Sequence, residues 1–507
     1  MVEFTPVEKI PGVVQELRKT FDEGITKDLA FRKQQLEKML LFLDENSKQI
    51  EQALFKDLHK PSIESVTAEI APIVDECKYM IKNLERLAKP SHPKKRFALN
   101  ASDKTYIRKE PKGVALIIGA WNYPVHLLLL PVVGAIAAGN CAVIKPSEVA
   151  EHTNELMEKA LPKYLDPCAY AVVSAGVVET TALLEQRFDH IFYTGNGAVG
   201  RIVMTAAAKH LTPVTLELGG KSPAIVTDTA DIELTAHRLL WGKLYNTGQT
   251  CVAPDYVLVA QEKQEALIAA FRKTVQEFFG KNAQESDSYG RIINQRQFDR
   301  LQRILDGIAS DKIVVGGQTD RENLFVAPTI VSPVQADDPH LMQDEIFGPI
   351  LPIIAVKDLK EAVDIVNSKD KPLAMYIFAG KSSDYNYIMD KTNSGGTLVN
   401  DTLMHLQEMS LPFGGIGPSG MGSYHGDRSF DTFTHERSTM IKSTSLEAVN
   451  QARYPPYSDS KKQLMSVLVF GLPSAAGAKI KAITTVFGAA WDIFFSSSKQ
   501  NNQDSKL

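Results

Sequence analysis

The chain has 507 residues, of which 44% are hydrophobic, 23% charged and 32 in number are glycine. That length exceeds one compact core, so two or three globular domains are expected, and the composition excludes a disordered or fibrous protein. Formal net charge is −4, from 56 basic and 60 acidic residues. No general attraction to nucleic acid follows, and any anionic partner must find a local patch.

Cys77, Cys141, Cys168 and Cys251 are widely spaced and form no CxxC pair, which makes a disulfide framework or a metal site a poor reading; no metal is expected. The opening MVEFTPVEKIPGVV lacks the basic flank and apolar run of a signal peptide. A reducing intracellular setting with free thiols is the expectation.

In chain order, residues 7–60 read as helical, and helical character continues to about Ala88, where the proline-rich basic stretch KPSHPKKR breaks it. From Val114 the pattern alternates. Strands are expected at 114–118, 141–144, 170–173, 190–193 and 214–216, with helices at 125–138, after Ser147, and at 177–186 and 198–210. Such alternation predicts βαβ units and a parallel sheet. Asn122, Lys145, Gly176, Gly195 and Glu217 then fall just beyond the carboxyl ends of successive strands, where open α/β sheets bind ligands. A second alternation from about 223 to 400 includes strands at 224–226, 256–259, 353–356, 375–378 and 396–399, which predicts a second α/β domain.

Several motifs sit on this frame. GNGAVG at 195–200 has the G-x-G-x-x-G form between a strand and a helix. Its glycines permit close backbone approach, and the helix N-terminus offers free N–H groups to a phosphate; a plain strand-to-helix turn is the alternative. Cys251 stands in NTGQTCVAPDYVL. A free cysteine is usually a small buried hydrophobe, and as a nucleophile it needs activating surroundings. Glu217, in TLELGGKSP, and Asn122, in GAWNYP, taken singly read as a strand-end carboxylate and a turn residue.

Taken together, GAWNYP, KPSE at 145–148, YTGNGAVG, LELGGKSP, GQTC, EIFGPILP at 345–352 and LPFGGIGPSGMGSYHG at 411–426 resemble the aldehyde dehydrogenase superfamily over roughly residues 5–445. GQTCVAPDYVL, FYTGN and GMGSYHG resemble its class 3 and fatty aldehyde branch. The resemblance implies a Rossmann-like cofactor domain (1–88 and 107–216), a second α/β catalytic domain (217–410), and a small bridging β segment for oligomerisation (89–106 and 411–445). It implies that Cys251 attacks an aldehyde carbonyl, that the Asn122 amide and the Cys251 N–H hold the oxyanion, and that Glu217 activates the water that hydrolyses the thioester.

For the cofactor, the resemblance assigns Lys145 and Glu148 to the adenosine ribose and Gly195, Asn196 and Gly200 to the phosphate turn. Glu345 falls to the nicotinamide ribose, with Phe347 beside it. Glu148 favours NAD, with NADP still open. Asn196 stands where many relatives outside class 3 have Ser. Tyr123, Trp241, Phe413 and His425 are expected in the substrate pocket, His425 as a wall or core residue or, alternatively, a general base. A homodimer is expected. The leading activity is oxidation of medium- to long-chain aldehydes. A CoA-acylating enzyme would have no use for a base at 217, and a non-catalytic relative would have no need to keep Cys251, Glu217 and Asn122.

The tail 446–507 departs from the resemblance. Residues 463–478 lack charge but are too short to span a bilayer. Ile480, Ile483, Phe487, Trp491 and Phe494 then recur at helical spacing, opposite Lys481, Thr485, Gly488 and Asp492. This predicts an amphipathic helix on a membrane surface or over the substrate entrance, or else packed on the protein or a partner subunit. The final Ser505, Lys506 and Leu507 read as an address for the peroxisomal import receptor. The expected location is the peroxisome, free or associated with its membrane, with the cytoplasmic face of the endoplasmic reticulum as the alternative.

Overall fold

The computed structural model describes residues 3–96, 100–444, 447–472 and 474–500. It divides into two compact units, Met1–Leu87 with Pro111–Thr434, and Ala88–Glu110 with His435–Leu507. The helical N-terminal stretch is broken into Ile10–Asp22, Leu29–Glu45 and Ser47–Leu58. Gly24 (φ 82°) makes one break and His59 (φ 48°) ends the third helix in a left-handed cap.

The larger unit holds two large sheets and a short antiparallel pair, Thr319–Asp320 with Phe325–Val326. The first is built from β1 (Val114–Ile118), β2 (Cys141–Lys145), β3 (Tyr170–Val172), β4 (His190–Thr194) and β5 (Val214–Glu217). The second follows with β6 (Pro223–Val226), β7 (Tyr256–Ala260), β8 (Ile313–Val315), β9 (Thr329–Val331), β10 (Ile350–Val356), β11 (Ala374–Phe378) and β12 (Gly396–Val399). A last strand, β13 (Gly420–Met421), returns to the first sheet.

Strand order in the first sheet is β13-β5-β4-β1-β2-β3, with β13 antiparallel to β5 and every other pair parallel. β1, β2 and β4 are buried at every residue, as strands covered on both faces must be. Between β1 and β4 the order reverses, and a crevice opens beyond their carboxyl ends. Lys145 and Glu217 occupy the last position of their strands rather than the loop after them.

The second sheet runs β12-β11-β6-β7-β10-β9-β8, parallel except for β8 against β9. Ile225, Leu258, Ile350, Ile354, Met375 and Ile377 form its core with Phe298, Leu301 and Leu305 from the helix Gln295–Asp306. β8, β9 and β13 were not expected from the sequence. Two or three residues are too few to show a period of two.

In the smaller unit Lys104–Pro111 pairs with Thr434–Ile441. The tail forms the helices Asp459–Phe470 and Ala476–Gln500, which pack through Leu464, Met465 and Leu468 against Val486 and Ala489. The expected amphipathic helix is therefore present, but its large apolar residues are not the ones that pack. Ile480, Phe487 and Trp491 are 66%, 74% and 65% exposed. Small residues face the neighbouring helix and large ones face outward. Among the described residues, no helix is long and apolar enough to cross a membrane. The Phe494 side chain and Ser505-Lys506-Leu507 lie outside the described residues.

Candidate active site

Two backbone segments meet at the end of the first sheet. The first, 119–125, connects β1 to the helix His126–Ala138. The second, 245–252, precedes β7. It carries three consecutive positive-φ residues, Asn246 (φ 50°), Thr247 (φ 55°) and Gly248 (φ 75°). At Gly248 a Cβ would lie 2.3 Å from the Gly348 carbonyl, so only glycine allows this approach. Left-handed backbone at two non-glycine residues is costly and persists where the surroundings fix it.

Those surroundings are hydrogen bonds between the two segments. Asn122 Nδ2 donates to the Gln249 carbonyl at 3.0 Å, and Asn246 Nδ2 donates to the Asn122 carbonyl at 2.9 Å. Tyr123 Oη lies 2.7 Å from Thr250 Oγ1. The Tyr376 hydroxyl donates to the Val252 carbonyl at 2.6 Å, which ties the segment to β11. Cys251 thus lines a cavity together with Tyr123, His126, Leu127, Trp241, Tyr245, Leu403, Phe413 and Tyr424. This wall is almost wholly apolar.

The expected residues distribute as follows. Cys251, Tyr123, Trp241 and Phe413 share the cavity. Asn122 is joined to the loop that presents the thiol. His425 differs: it packs on two wall residues, Phe413 (ring centroids 5.5 Å) and Tyr424 (4.6 Å), without itself lining the cavity. It is 2% exposed, and burial pushes it down to about 3. Burial makes this imidazole a weak proton acceptor, and it does not line the cavity, so the geometry favours a core role over that of a general base.

Glu217 is 3% exposed, and neither carboxylate oxygen has a hydrogen-bond partner. Burial alone raises it well above the ordinary carboxylate range. Burial also pushes up the Cys251 thiol, with further contributions from Glu345 and then Glu217, while the N–H groups of Cys251 and Val252 oppose the rise. Those same N–H groups are placed to donate to charge developing beside the sulfur.

Glu345, which also raises the Cys251 thiol, is itself pushed up to about 8, mainly by burial. A Cβ on Gly219 would meet its carboxylate at 2.2 Å, so the glycine after LEL makes room for it. The loop carrying Glu345 is tied down by Lys221, which bonds Asp255 (2.5 Å) and the carbonyls of Leu341 (2.7 Å) and Asp344 (3.0 Å). Phe347 (φ 49°) meets Trp121 edge-on at 5.3 Å.

At the neighbouring strand ends Lys145 donates to Glu148 at 2.5 Å. A Cβ on Gly195 would lie 2.2 Å from the Tyr193 hydroxyl, and one on Gly200 2.9 Å from Leu218. Neither glycine has positive φ, so both serve close packing rather than an unusual backbone. Asn196 caps the helix Gly197–Ala208, accepting from Val199 N–H at 2.9 Å. The sequence alone assigns no role to Asn246, Thr250, Trp121, Lys221, Asp255 and Tyr424, although each lies within one of the motifs quoted above; their partners are set by tertiary contacts. Among the described residues, no group of three or more His, Cys, Asp and Glu could hold a metal.

A dinucleotide-type crevice with a thiol, a buried carboxylate and amide donors at its edge defines an oxidoreductase of the α/β class. A model of the aldehyde dehydrogenase family matches residues 5–439, and the chain belongs to that family, in its class 3 branch. It is 49% identical to aldehyde dehydrogenase family 3 member A2 of Rattus norvegicus over 448 residues, 88% of this chain and 92% of that one. With member B1 of Rattus norvegicus it shares 47% over 454 residues, covering 90% and 96%. Among solved structures it resembles a substrate-bound state of Staphylococcus aureus AldH, with a TM-score of 0.87 at 41% identity and coverage of 90% and 99%. The protein is an aldehyde dehydrogenase, and its family uses NAD(P).

Proposed function

We propose that this enzyme oxidises medium- to long-chain aliphatic aldehydes to carboxylic acids, preferring NAD and accepting NADP. The observation that carries the reading is the apolar wall around Cys251, formed by Tyr123, Leu127, Trp241, Leu403 and Phe413. Such a wall recognises hydrocarbon by burial, at about 0.8 kcal/mol per CH2 group, and offers little to a small polar aldehyde.

Cys251 adds to the carbonyl to give a tetrahedral thiohemiacetal. The second N–H of the Asn122 amide and the backbone N–H of Cys251 take up the oxyanion; one such donor is worth about 3–4 kcal/mol of transition-state stabilisation. A bound nicotinamide dinucleotide supplies the hydride acceptor. The residues that would hold it suit its groups. Lys145 and Glu148 meet the adenosine ribose, with Glu148 disfavouring a 2′-phosphate. The turn at Gly195, Asn196 and Gly200 meets the pyrophosphate, and Glu345 and Phe347 meet the nicotinamide end. Glu217, unpartnered and aimed at no other group, then takes the proton of the water that hydrolyses the Cys251 thioester.

In this reading the first sheet with the N-terminal helices holds the cofactor, 217–410 carries the chemistry, and 89–106 with 411–445 bridges a homodimer. The outward apolar row of the last helix rests on a membrane surface. Peroxisomal import through Ser505-Lys506-Leu507 completes it.

The test is NADH formation with aldehydes from two to sixteen carbons, with and without CoA. kcat/KM is expected to rise with chain length, without CoA, and to vanish in Cys251→Ala. Strict dependence on CoA, or a preference for the shortest aldehydes, would overturn the proposal.

A further inference from the structure

We propose that the buried ion pair Lys60–Glu69 is a positioning device for the Asn122 oxyanion donor. The proposal rests on the reading of Asn122 given above.

Both side chains are 0% exposed. Lys60 follows the left-handed cap at His59 and precedes Pro61, so its backbone direction is fixed on both sides. Its ammonium group bonds Glu69 Oε1 and donates to the Asn122 carbonyl at 3.0 Å. It also lies 4.2 Å from the centre of the Tyr123 ring, in a cation–π contact. Glu69 belongs to a π-helical segment, Val66–Ile70, a rare geometry that is frequent at functional sites. Its second oxygen accepts from the N–H groups of Val125 (3.1 Å) and His126 (3.0 Å), at the start of the helix His126–Ala138.

One carboxylate therefore grips the far end of the loop 119–125 while its ammonium partner grips the peptide of residue 122. Asn246 Nδ2 adds a second donor to the same Asn122 carbonyl. Two donors on one carbonyl, from different directions, resist rotation of the peptide plane on which the Asn122 side chain is mounted. The side chain itself spends one N–H on the Gln249 carbonyl. Its other N–H is left for the oxyanion, and a donor counts only when held in place before charge develops.

A buried ion pair is weak evidence for stability, since apolar replacements often serve as well. It is a strong constraint on direction, because two of the three Lys60 donors are hydrogen-bonded and its charge lies over the Tyr123 ring. Neither residue lines the cavity around Cys251; both are positioning residues. No motif in the sequence pointed to them, as Lys60 and Asn122 are 62 positions apart.

The experiment is a double-mutant cycle read by hydrolysis of p-nitrophenyl acetate, which uses the thiol and oxyanion donors without hydride transfer. Lys60→Met is made in the wild-type and Asn122→Ala backgrounds, and Lys60→Met/Glu69→Gln in both as well, since the double change leaves no unpaired buried charge. Thermal melting and NAD binding are measured on every variant. With Asn122 present, both changes at 60 are expected to lower the acylation rate about 10-fold or more. With Ala at 122 they are expected to cost less than about 3-fold, and NAD affinity should stay within about 2-fold. Equal losses in the two backgrounds would overturn the positioning role while leaving Asn122 as the donor. An Asn122→Ala enzyme that acylates at the wild-type rate would overturn the donor reading and this proposal with it.

Discussion

Burial first, and then the carboxylates Glu345 and Glu217, oppose the ionisation of Cys251, so its reactivity depends in part on their charge. Glu345 has an ordinary value of 4.5 and is pushed up to about 8. Below that pH it is neutral; above it, its negative charge raises the cost of a thiolate next to it. Glu345→Gln removes that charge, lowers the thiol's pKa and increases the thiolate fraction. In a Cys168→Ser background, which removes the exposed thiol, alkylation of Cys251 by iodoacetamide at pH 9 is expected to be several-fold faster in Glu345→Gln. An unchanged or slower rate would show that Glu345 does not act on the thiol. At this scale the sequence motifs named Cys251, Glu217 and Asn122. They could not name Lys60 or Asn246, whose roles exist only through contacts with a peptide far along the chain.

Between elements, buried acids mark where pH should enter stability. Glu76, on the helix Ala71–Ala88, accepts from the Gly426 N–H at 3.2 Å and so ties that helix to the turn that carries His425. It is fully buried, one oxygen has no partner, and burial pushes it from 4.5 up to about 7. Its folded-state pKa is raised, so the folded protein holds a proton there that the unfolded chain has released. Stability from this group is fully present below about 4.5, declines as pH rises to about 7, and is constant above that. The span corresponds to about 3 kcal/mol at most. Glu76→Gln is expected to flatten the fall in Tm between pH 5 and pH 8, measured by scanning calorimetry. A slope equal to wild type would place the titration elsewhere, Glu64 being the other buried acid pushed up to about 7.

The whole molecule presents one feature the catalytic fold does not need, the outward row of large apolar residues on the last helix. Ile480, Phe487 and Trp491 are each more than 60% exposed. Leaving them in water is costly unless something covers them, since full burial of one such side chain is worth about 1.5–3 kcal/mol. If a lipid surface does, the enzyme should co-sediment with phosphatidylcholine vesicles. Phe487→Asp/Trp491→Asp should then weaken that partition by about tenfold or more, with oxidation of a short, water-soluble aldehyde unchanged. Equal partition of the variant would assign the row to another occupant.

By itself the sequence determined the alternating strands and helices, because a strand buried on both faces must be a continuous apolar run and Val114–Ile118 or Cys141–Lys145 can hardly read otherwise. It also determined which thiol, which carboxylate and which amide to consider, because the family motifs contain them. Only the tertiary structure decided that His425 stacks in the core instead of facing the cavity, and that the tail helix turns its small residues inward. Both depend on which surface packs against which. The same holds for the second donor on the Asn122 carbonyl and the ion pair behind it. Hydrogen bonds between residues dozens of positions apart leave no period or motif to read, and they form only when the chain has closed on itself.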